Sequence, residues 1–138
     1  MAKYVLLKAR WLMDGTGAPP IAEAALLARD GRVEAVGPRA SVPAPTEAEE
    51  IDLGTCTLLP GLIDAHVHLV GDPRPGSLMG TQHESDEWLL LRAAANARAA
   101  LAAGLTTVRD CGGRGALIIS LAKAVAAGMI PGPRIVAL

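Results

Sequence analysis

The segment LLPGLIDAHVHL, residues 58–69, carries the strongest pattern in this sequence. From Leu62 onward, polar and apolar side chains alternate with a period of two, as in a β-strand whose two faces differ. The polar face contains Asp64, His66 and His68, and the apolar face contains Ile63, Ala65, Val67 and Leu69. We therefore predict one buried strand over residues 58–69 with two imidazoles at its carboxyl end.

Two histidines at positions i and i+2 of a strand project side by side, close enough to bind one ion. Neutral imidazole is a good ligand for zinc, iron or nickel, so His66 and His68 are candidate metal ligands. On the motif alone, a purely structural role for both stays open. The surroundings favour the metal site, because Pro60-Gly61 introduces the strand and residues 71–73, Gly-Asp-Pro, end it soon after the histidines.

Composition restricts the class of protein. The chain has 138 residues, 51% of them hydrophobic, and a formal net charge of -1. This is enough apolar material for a folded core, while the lack of a basic excess and the 2% aromatic content argue against a nucleic-acid partner. No apolar run reaches the roughly 18 residues of a membrane span. Charges at Lys3, Lys8 and Arg10 interrupt the N-terminal apolar stretch, so we predict neither membrane association nor export.

The two cysteines, Cys56 and Cys111, are far apart in sequence and lack a partner at a metal-type spacing. We interpret both as buried thiols in a reducing compartment, which predicts a cytoplasmic location.

The first 56 residues predict only β-strands, over residues 3–13, 24–29, 32–36 and 49–53. Asp30-Gly31 lies between the second and third strands and is a dipeptide typical of type I′ hairpins, in which both residues need positive φ. These strands offer too little apolar surface to close a sandwich alone.

The remaining sequence predicts alternating strands and helices. Ser85 is a suitable N-cap for a helix that ends before Gly104, and a second helix follows over residues 116–127. Strands are predicted over residues 105–110 and 134–138. The apolar stripes of the helices contain Leu90, Ala94, Ala97 and Leu101 in the first, and Leu117, Leu121, Ala124 and Val125 in the second.

This order predicts parallel strands covered by helices. The last predicted strand is apolar and no helix follows it, which would leave an open sheet edge. We therefore expect the chain to be a fragment of a larger domain.

Three motifs, PGLIDAHVHL (60–69), GLTTVRDCGG (104–113) and GMIPGPRI (128–135), resemble the amidohydrolase superfamily. The similarity covers nearly the whole chain and favours the imidazolonepropionase and prolidase-like group, with its Xaa-Pro and Xaa-Lys/Arg dipeptidase branch. It implies an α/β fold, the first part of a metal-dependent (β/α)8 barrel preceded by strands of a small β-sandwich. The implied domains are an incomplete sandwich portion at 1–56 and the first β/α units of the barrel at 57–138.

The resemblance also implies a chemistry. His66 and His68 would bind a divalent metal, expected to be zinc, as part of a site with one or two ions at the carboxyl ends of the barrel strands. Metal-activated water would hydrolyse a carbon–nitrogen bond in a small molecule or dipeptide. The family base, an aspartate of strand eight, has no match here, so no catalytic residue is assigned. Homo-oligomerisation stays open.

Other polar residues have weaker claims. Asp64 lies on the histidine face and could orient a ligand, although a buried, hydrogen-bonded structural carboxylate explains it as well. Asp110 could help to position the mouth of the site, but a helix N-cap or a loop hydrogen bond explains it equally well. His83 is expected to face solvent. The glycines around Arg114 resemble an anion nest but are also ordinary in a β-to-α loop.

Two interpretations follow. In the first, the chain is the N-terminal part of an amidohydrolase. In the second, it is a truncated, catalytically incomplete product or an assembly partner without activity of its own. The nucleotide sequence after the codon for Leu138 discriminates between them, because an open frame encoding further metal-ligand strands would favour the first.

Overall fold

A computed structural model describes residues 2–72, 74 and 83–137 of the chain. The contacts divide it into two compact units, Met1–Pro60 and Gly61–Leu138. The domain boundary predicted between residues 56 and 57 lies slightly earlier than this division.

The first unit is a five-stranded β-sheet. Its strands are β1 (Tyr4–Leu12), β2 (Ile21–Arg29), β3 (Arg32–Pro38), β4 (Glu49–Asp52) and β5 (Thr57–Leu58). β1, β2 and β3 form an antiparallel meander, whereas β4 and β5 pair with β1 in parallel. A buried cluster supports the sheet, made of Leu6, Ala25, Leu27 and Val42.

The predicted β-hairpin is confirmed. Asp30 has φ of 49° and Gly31 has φ of 78°, which are the positive values that a type I′ turn requires. Arg29 and Arg32 are paired on either side of the turn. The two-residue turn therefore fixes the register of the pairs next to it, and the register of β2 and β3 shifts once beyond them, between Leu27 and Ala28.

The single strand predicted over residues 58–69 is wrong. Thr57–Leu58 pairs with β1 in the first unit, and a separate strand β6 (Leu62–Val67) begins the second. Proline has no N–H to donate to a ladder, so the chain leaves one sheet and enters another around Pro60. Nor is β6 buried throughout, since Leu62 is 52% and Ile63 is 72% exposed.

The second unit has the predicted order of strand, helix, strand, helix and strand. β6, β7 (Leu105–Asp110) and β8 (Arg134–Ala137) form a parallel sheet in that order, connected by α1 (Asp86–Ala102) and α2 (Leu117–Ala126). Residue 138 of the predicted last strand, and residue 73 of the segment predicted to end the histidine strand, lie outside the described residues.

The ends of the helices follow the sequence signals. The Ser85 hydroxyl accepts a hydrogen bond from the Trp88 amide at 3.3 Å, and Gly104 follows α1 with φ of 92°. Gly128 ends α2 in the same way, with φ of 70°.

The predicted apolar stripes are confirmed in part, because Ala97 and Leu121 are buried, and Leu90, Ala94 and Val125 pack against the core cluster. In α1 the buried residues are Leu89, Ala93 and Ala97, while Leu101 is 36% exposed. In α2 they are Ile118 and Leu121. Both helices are apolar around much of their circumference, so neighbouring stripes differ little in hydrophobicity. The packing partners, which include Val108 and Leu69, choose between them.

The prediction of two buried thiols is also wrong. Cys56 is exposed in the turn before β5, and Cys111 is partly buried just after β7. Cys56 lies in the connection between β4 and β5, and Cys111 lies in the connection that follows β7, so neither thiol is in the interior of a strand. Within the residues that the structure describes, no helix combines the length and apolarity needed to cross a membrane.

Candidate functional site

The two histidines lie together at the carboxyl end of β6. His66 is within the strand and His68 follows its last residue, Val67. Their ring centroids are 5.3 Å apart, with an angle of 67° between the ring planes, and both side chains are exposed. Because a zinc–nitrogen bond is about 2 Å long, rings at this separation are close enough for one ion to reach a nitrogen of each.

The structure fixes which nitrogen of His68 is free. Its Nδ1 lies 3.0 Å from the carbonyl oxygen of Gly112. A carbonyl only accepts hydrogen bonds, so Nδ1 must carry the hydrogen and donate it. The lone pair of neutral His68 is then on Nε2. A histidine whose second nitrogen donates to a backbone carbonyl is the usual arrangement of a metal ligand.

Asp64 supports the backbone of His66 rather than its ring. Its Oδ1 accepts a hydrogen bond from the His66 amide at 3.0 Å. The pairing of β6 with β7 is irregular between Asp64 and Val67, so this amide lies where the ladder is interrupted. The side chain is partly exposed. Asp64 therefore provides an acceptor for the His66 amide at the point where the pairing of the two strands is irregular.

Asp110 is the buried carboxylate of the site. It ends β7 and is only 1% exposed. Its Oδ2 accepts from the Leu69 amide at 2.8 Å, and its Oδ1 accepts from the Gly112 amide at 2.9 Å. Asp110 thus connects the residue after His68 to the residue whose carbonyl binds the His68 ring. Of the roles that the sequence left open, the loop hydrogen bond is observed.

The turn after the histidines, residues 68–71, is fixed by its own backbone and by α1. The carbonyls of all four residues accept hydrogen bonds. Gly71 N donates to His68 O at 2.9 Å, and the Asn96 side-chain amide donates to Leu69 O at 2.7 Å and to Gly71 O at 2.8 Å. Arg92 donates to Val70 O at 3.4 Å. Sequence analysis missed Asn96 and Arg92, although polar residues four apart in an Ala-rich helix were an available signal.

Ion pairs surround this turn. Arg92 forms a two-pronged pair with Glu84, and this hydrogen bonding lowers the pKa of the Glu84 carboxyl. Hydrogen bonds from Arg74 lower the pKa of Asp72 to about 2. Arg114, in the glycine-rich loop that resembles an anion nest but is also ordinary between a strand and a helix, pairs with Asp86 at 2.6 Å and donates to the Glu84 carbonyl. Its guanidinium therefore ties the loop after β7 to the start of α1.

The remaining candidate does not join the histidines. His83 is exposed and precedes α1, as predicted. Across residues 2–72, 74 and 83–137 there is no group of three or more His, Cys, Asp or Glu side chains placed to hold a metal. A catalytic zinc site usually has three protein ligands. His66 and His68 thus have the right donor chemistry for zinc but make up only part of such a ligand set.

Comparisons with known proteins identify the family of this chain. A family model described as the amidohydrolase family matches residues 57–138. An imidazolonepropionase of Ralstonia nicotianae is 48% identical over 58 residues, which are 41% of this chain and 14% of that protein. An allantoinase of Streptomyces avermitilis is 42% identical over 98 residues, which are 70% of this chain and 18% of that protein.

The fold is also found among solved structures. A Xaa-Pro dipeptidase with methionine bound in its active site superposes with a TM-score of 0.83 at 26% identity, over 98% of this chain and 33% of that structure. The chain therefore spans about a third of the length of this structure and less of the curated relatives. The predicted fold, the first part of a (β/α)8 barrel preceded by strands of a small β-sandwich, is confirmed.

Proposed function

This chain belongs to the amidohydrolase family, and we propose that it supplies two metal ligands, His66 and His68, to a divalent-metal-dependent hydrolase of carbon–nitrogen bonds. The observation that carries the proposal is the hydrogen bond from His68 Nδ1 to Gly112 O, because it leaves Nε2 facing away as a lone-pair donor. Zinc is the proposed metal, and a cyclic amide or a dipeptide is the proposed substrate class.

The contribution of the chain is to hold the ligands. A bound divalent ion would lower the pKa of a water molecule and polarise the bond to be cleaved. Gly112 holds the His68 ring, so this imidazole is oriented before an ion arrives, and Asp64 holds the backbone that carries His66. Such preorganisation means that little side-chain entropy is lost on binding.

Support for the substrate class comes from the names of the relatives. The proteins that this chain resembles include an imidazolonepropionase, an allantoinase and a Xaa-Pro dipeptidase. The proposed cytoplasmic location fits small-molecule substrates of this type and is tested by cell fractionation.

The metal proposal is tested by calorimetric titration of the 138-residue chain with zinc. We expect weak binding, because two ligands are fewer than a tight site needs. Loss of an outer-shell partner alone typically costs about 10- to 100-fold in metal affinity, so His66→Ala and His68→Ala should each cost at least as much. His83→Ala is the matched control and should bind as the wild type does. Tight binding that survives His66→Ala plus His68→Ala would refute the proposal.

A second candidate, a product that binds metal without catalysis, is favoured by the absence of a three-ligand group in the described part of the chain. We expect no hydrolysis of dipeptides or cyclic amides by the 138 residues alone. Hydrolysis by the complete gene product, lost in His66→Ala and retained in His83→Ala, would favour the first function. Inactivity of the complete product with zinc bound would favour the second.

A further inference from the structure

We propose that Asp110 is a positioning residue that sets the tautomer and orientation of His68 through the backbone of Gly112. The inference rests on the proposed function for its effect on metal affinity. Its effect on the His68 ring does not depend on a metal.

The first step is the anchoring of Asp110 itself. The carboxylate is 1% exposed and each of its oxygens accepts one backbone hydrogen bond, from Leu69 N and from Gly112 N. One of these amides follows His68 directly and the other belongs to the residue beside its ring. A single buried carboxylate therefore holds both the backbone that follows His68 in sequence and the backbone that lies beside its ring.

The second step is the contact between Gly112 and the ring. Gly112 has φ of 154°, in the region that favours glycine, and a Cβ built on it would lie 3.8 Å from Cε1 of His68. Its carbonyl accepts the Nδ1 hydrogen at 3.0 Å. The direction of this carbonyl depends on the conformation of the loop, which the bond from Gly112 N to Asp110 fixes. Asp110 thus sets the tautomer of His68 through two successive hydrogen bonds, from Gly112 N to Asp110 and from His68 Nδ1 to Gly112 O.

The third step is the chemical identity of residue 110. Two N–H groups point at the two oxygens, so both positions must accept. Asparagine has nearly the same shape but offers one acceptor, and its NH2 group would face a backbone N–H. Asp110→Asn therefore breaks one of the two bonds while keeping the volume of the side chain.

The test is the pattern of ring ¹⁵N and ¹H signals of His68 in the metal-free, neutral state, measured by NMR on the 138-residue chain. In the wild type we expect the tautomer with hydrogen on Nδ1. Asp110→Asn is expected to shift the pattern toward a mixture of tautomers. Zinc affinity should fall about 10- to 100-fold, as for other outer-shell partners.

Two control variants separate positioning from general loosening. Asp52→Ala removes the same kind of bond, from Gly54 N at 2.8 Å, in the first unit, and should leave the His68 signals unchanged. Asn96→Ala frees the carbonyls of Leu69 and Gly71 but leaves the path from Asp110 to Gly112 intact. It should lower stability while preserving the Nδ1–H tautomer.

Three results would overturn the inference. They are an Nε2–H tautomer in the wild type, an unchanged pattern in Asp110→Asn, and a shift in Asn96→Ala as large as that in Asp110→Asn. If the wild type has the expected tautomer and Asp110→Asn shifts it, yet neither binds zinc, the inference is supported and the proposed function fails.

Asp110→Asn could prevent folding, in which case the wild type decides the matter. Couplings across hydrogen bonds are then measured from the amide nitrogens of Leu69 and Gly112 to the side-chain carbon of Asp110. Both are expected alongside the Nδ1–H tautomer, and the absence of either overturns the proposal.

Discussion

The two sheets of this chain are held in register by different kinds of bond. In the first unit, eight consecutive or near-consecutive residue pairs join β1 to β2, and a two-residue turn joins β2 to β3. In the second, the pairing of β6 with β7 shifts twice, and the carboxylates of Asp64 and Asp110 accept from nearby amides. Asp30 and Asp52 also accept from amides in the first unit, but they are exposed, whereas Asp110 in the second is buried. Removal of a single carboxylate should therefore be more costly in the second unit.

The largest expected difference is in the free energy of unfolding that is lost in Asp110→Ala and in Asp52→Ala. The first leaves two amides without acceptors, one of them in a buried residue, and unsatisfied buried groups cost about 1 to 3 kcal/mol each, so we expect a loss of about 3 kcal/mol. Asp52 is exposed, and its removal should cost less than about 0.5 kcal/mol.

The tryptophans allow each unit to be followed separately in urea. Trp11 lies in β1 and Trp88 in α1, and they are the two tryptophans of the chain. A Trp11→Phe background reports the second unit, and a Trp88→Phe background reports the first. Equal losses of unfolding free energy in Asp110→Ala and Asp52→Ala would contradict the expected difference between the two units.

Substitution of one glycine in each unit should also lower stability by different amounts, although the effects are smaller. A Cβ on Gly61 would collide with the Thr106 hydroxyl and lie 2.7 Å from the Thr106 Cβ, so Gly61→Ala should cost about 2 kcal/mol through overpacking. Gly31 has no neighbour within 4 Å but has positive φ, and Gly31→Ala should cost about 1 kcal/mol.

A second substitution distinguishes the two causes. Thr106→Gly removes the side chain that obstructs the added methyl group and should restore part of the stability lost in Gly61→Ala, measured by the same urea titration. No neighbour substitution can relieve the strain in Gly31→Ala. Failure of Thr106→Gly to restore any stability would show that space is not the reason for Gly61.

Smaller effects on stability are expected at the sheet edges. Ile63 is 72% exposed beside exposed Leu62, whereas Val33 is 63% exposed between charged Arg32 and Glu34. Charged flanks oppose association of edge strands. Ile63→Lys should therefore reduce self-association in sedimentation experiments more than Val33→Lys does, with less than about 0.5 kcal/mol change in unfolding. An equal effect of both would remove this difference between the sheets. Ile63→Lys is also the suitable background for NMR.

The smallest effect is the pH dependence of the second unit. Arg74 lowers the pKa of Asp72 to about 2, and Arg92 lowers that of Glu84. A lowered pKa in the folded state stabilises the protein above the unfolded value and loses this contribution as pH falls through the folded value. Between about pH 5 and pH 2 the Trp88 transition should weaken, and Glu84→Gln should flatten this slope. A slope unchanged by Glu84→Gln would exclude that pair as its source.

Prediction from sequence succeeded where the cause was local. Asp30-Gly31 defines its own turn, and Ser85 caps the helix that follows it. The error at residues 58–69 has a different origin, because neither the apolar residues before Pro60 nor the alternating residues after it reveal that the two sides pair with different sheets. The helix stripes also depended on distant partners, such as Val108, that choose among similar apolar faces.

The candidate site shows the same limit. The His-x-His pattern is local and could be identified, whereas the function of Asp110 depends on amides at positions 69 and 112. Such bonds depend on tertiary proximity, which residue type alone does not specify. The assignment of His66 and His68 as metal ligands stays a prediction until the titration is made.

The turn at residues 68–71 has a consequence for protein design. Its supports, Arg92, Asn96 and Asp110, come from one strand–helix–strand unit and address backbone atoms rather than side chains. These hydrogen bonds therefore do not depend on which side chains the turn carries. The three side chains could be grafted as a set onto an idealised strand–helix–strand scaffold to present an imidazole in a chosen tautomer, with the loop itself left free to be redesigned.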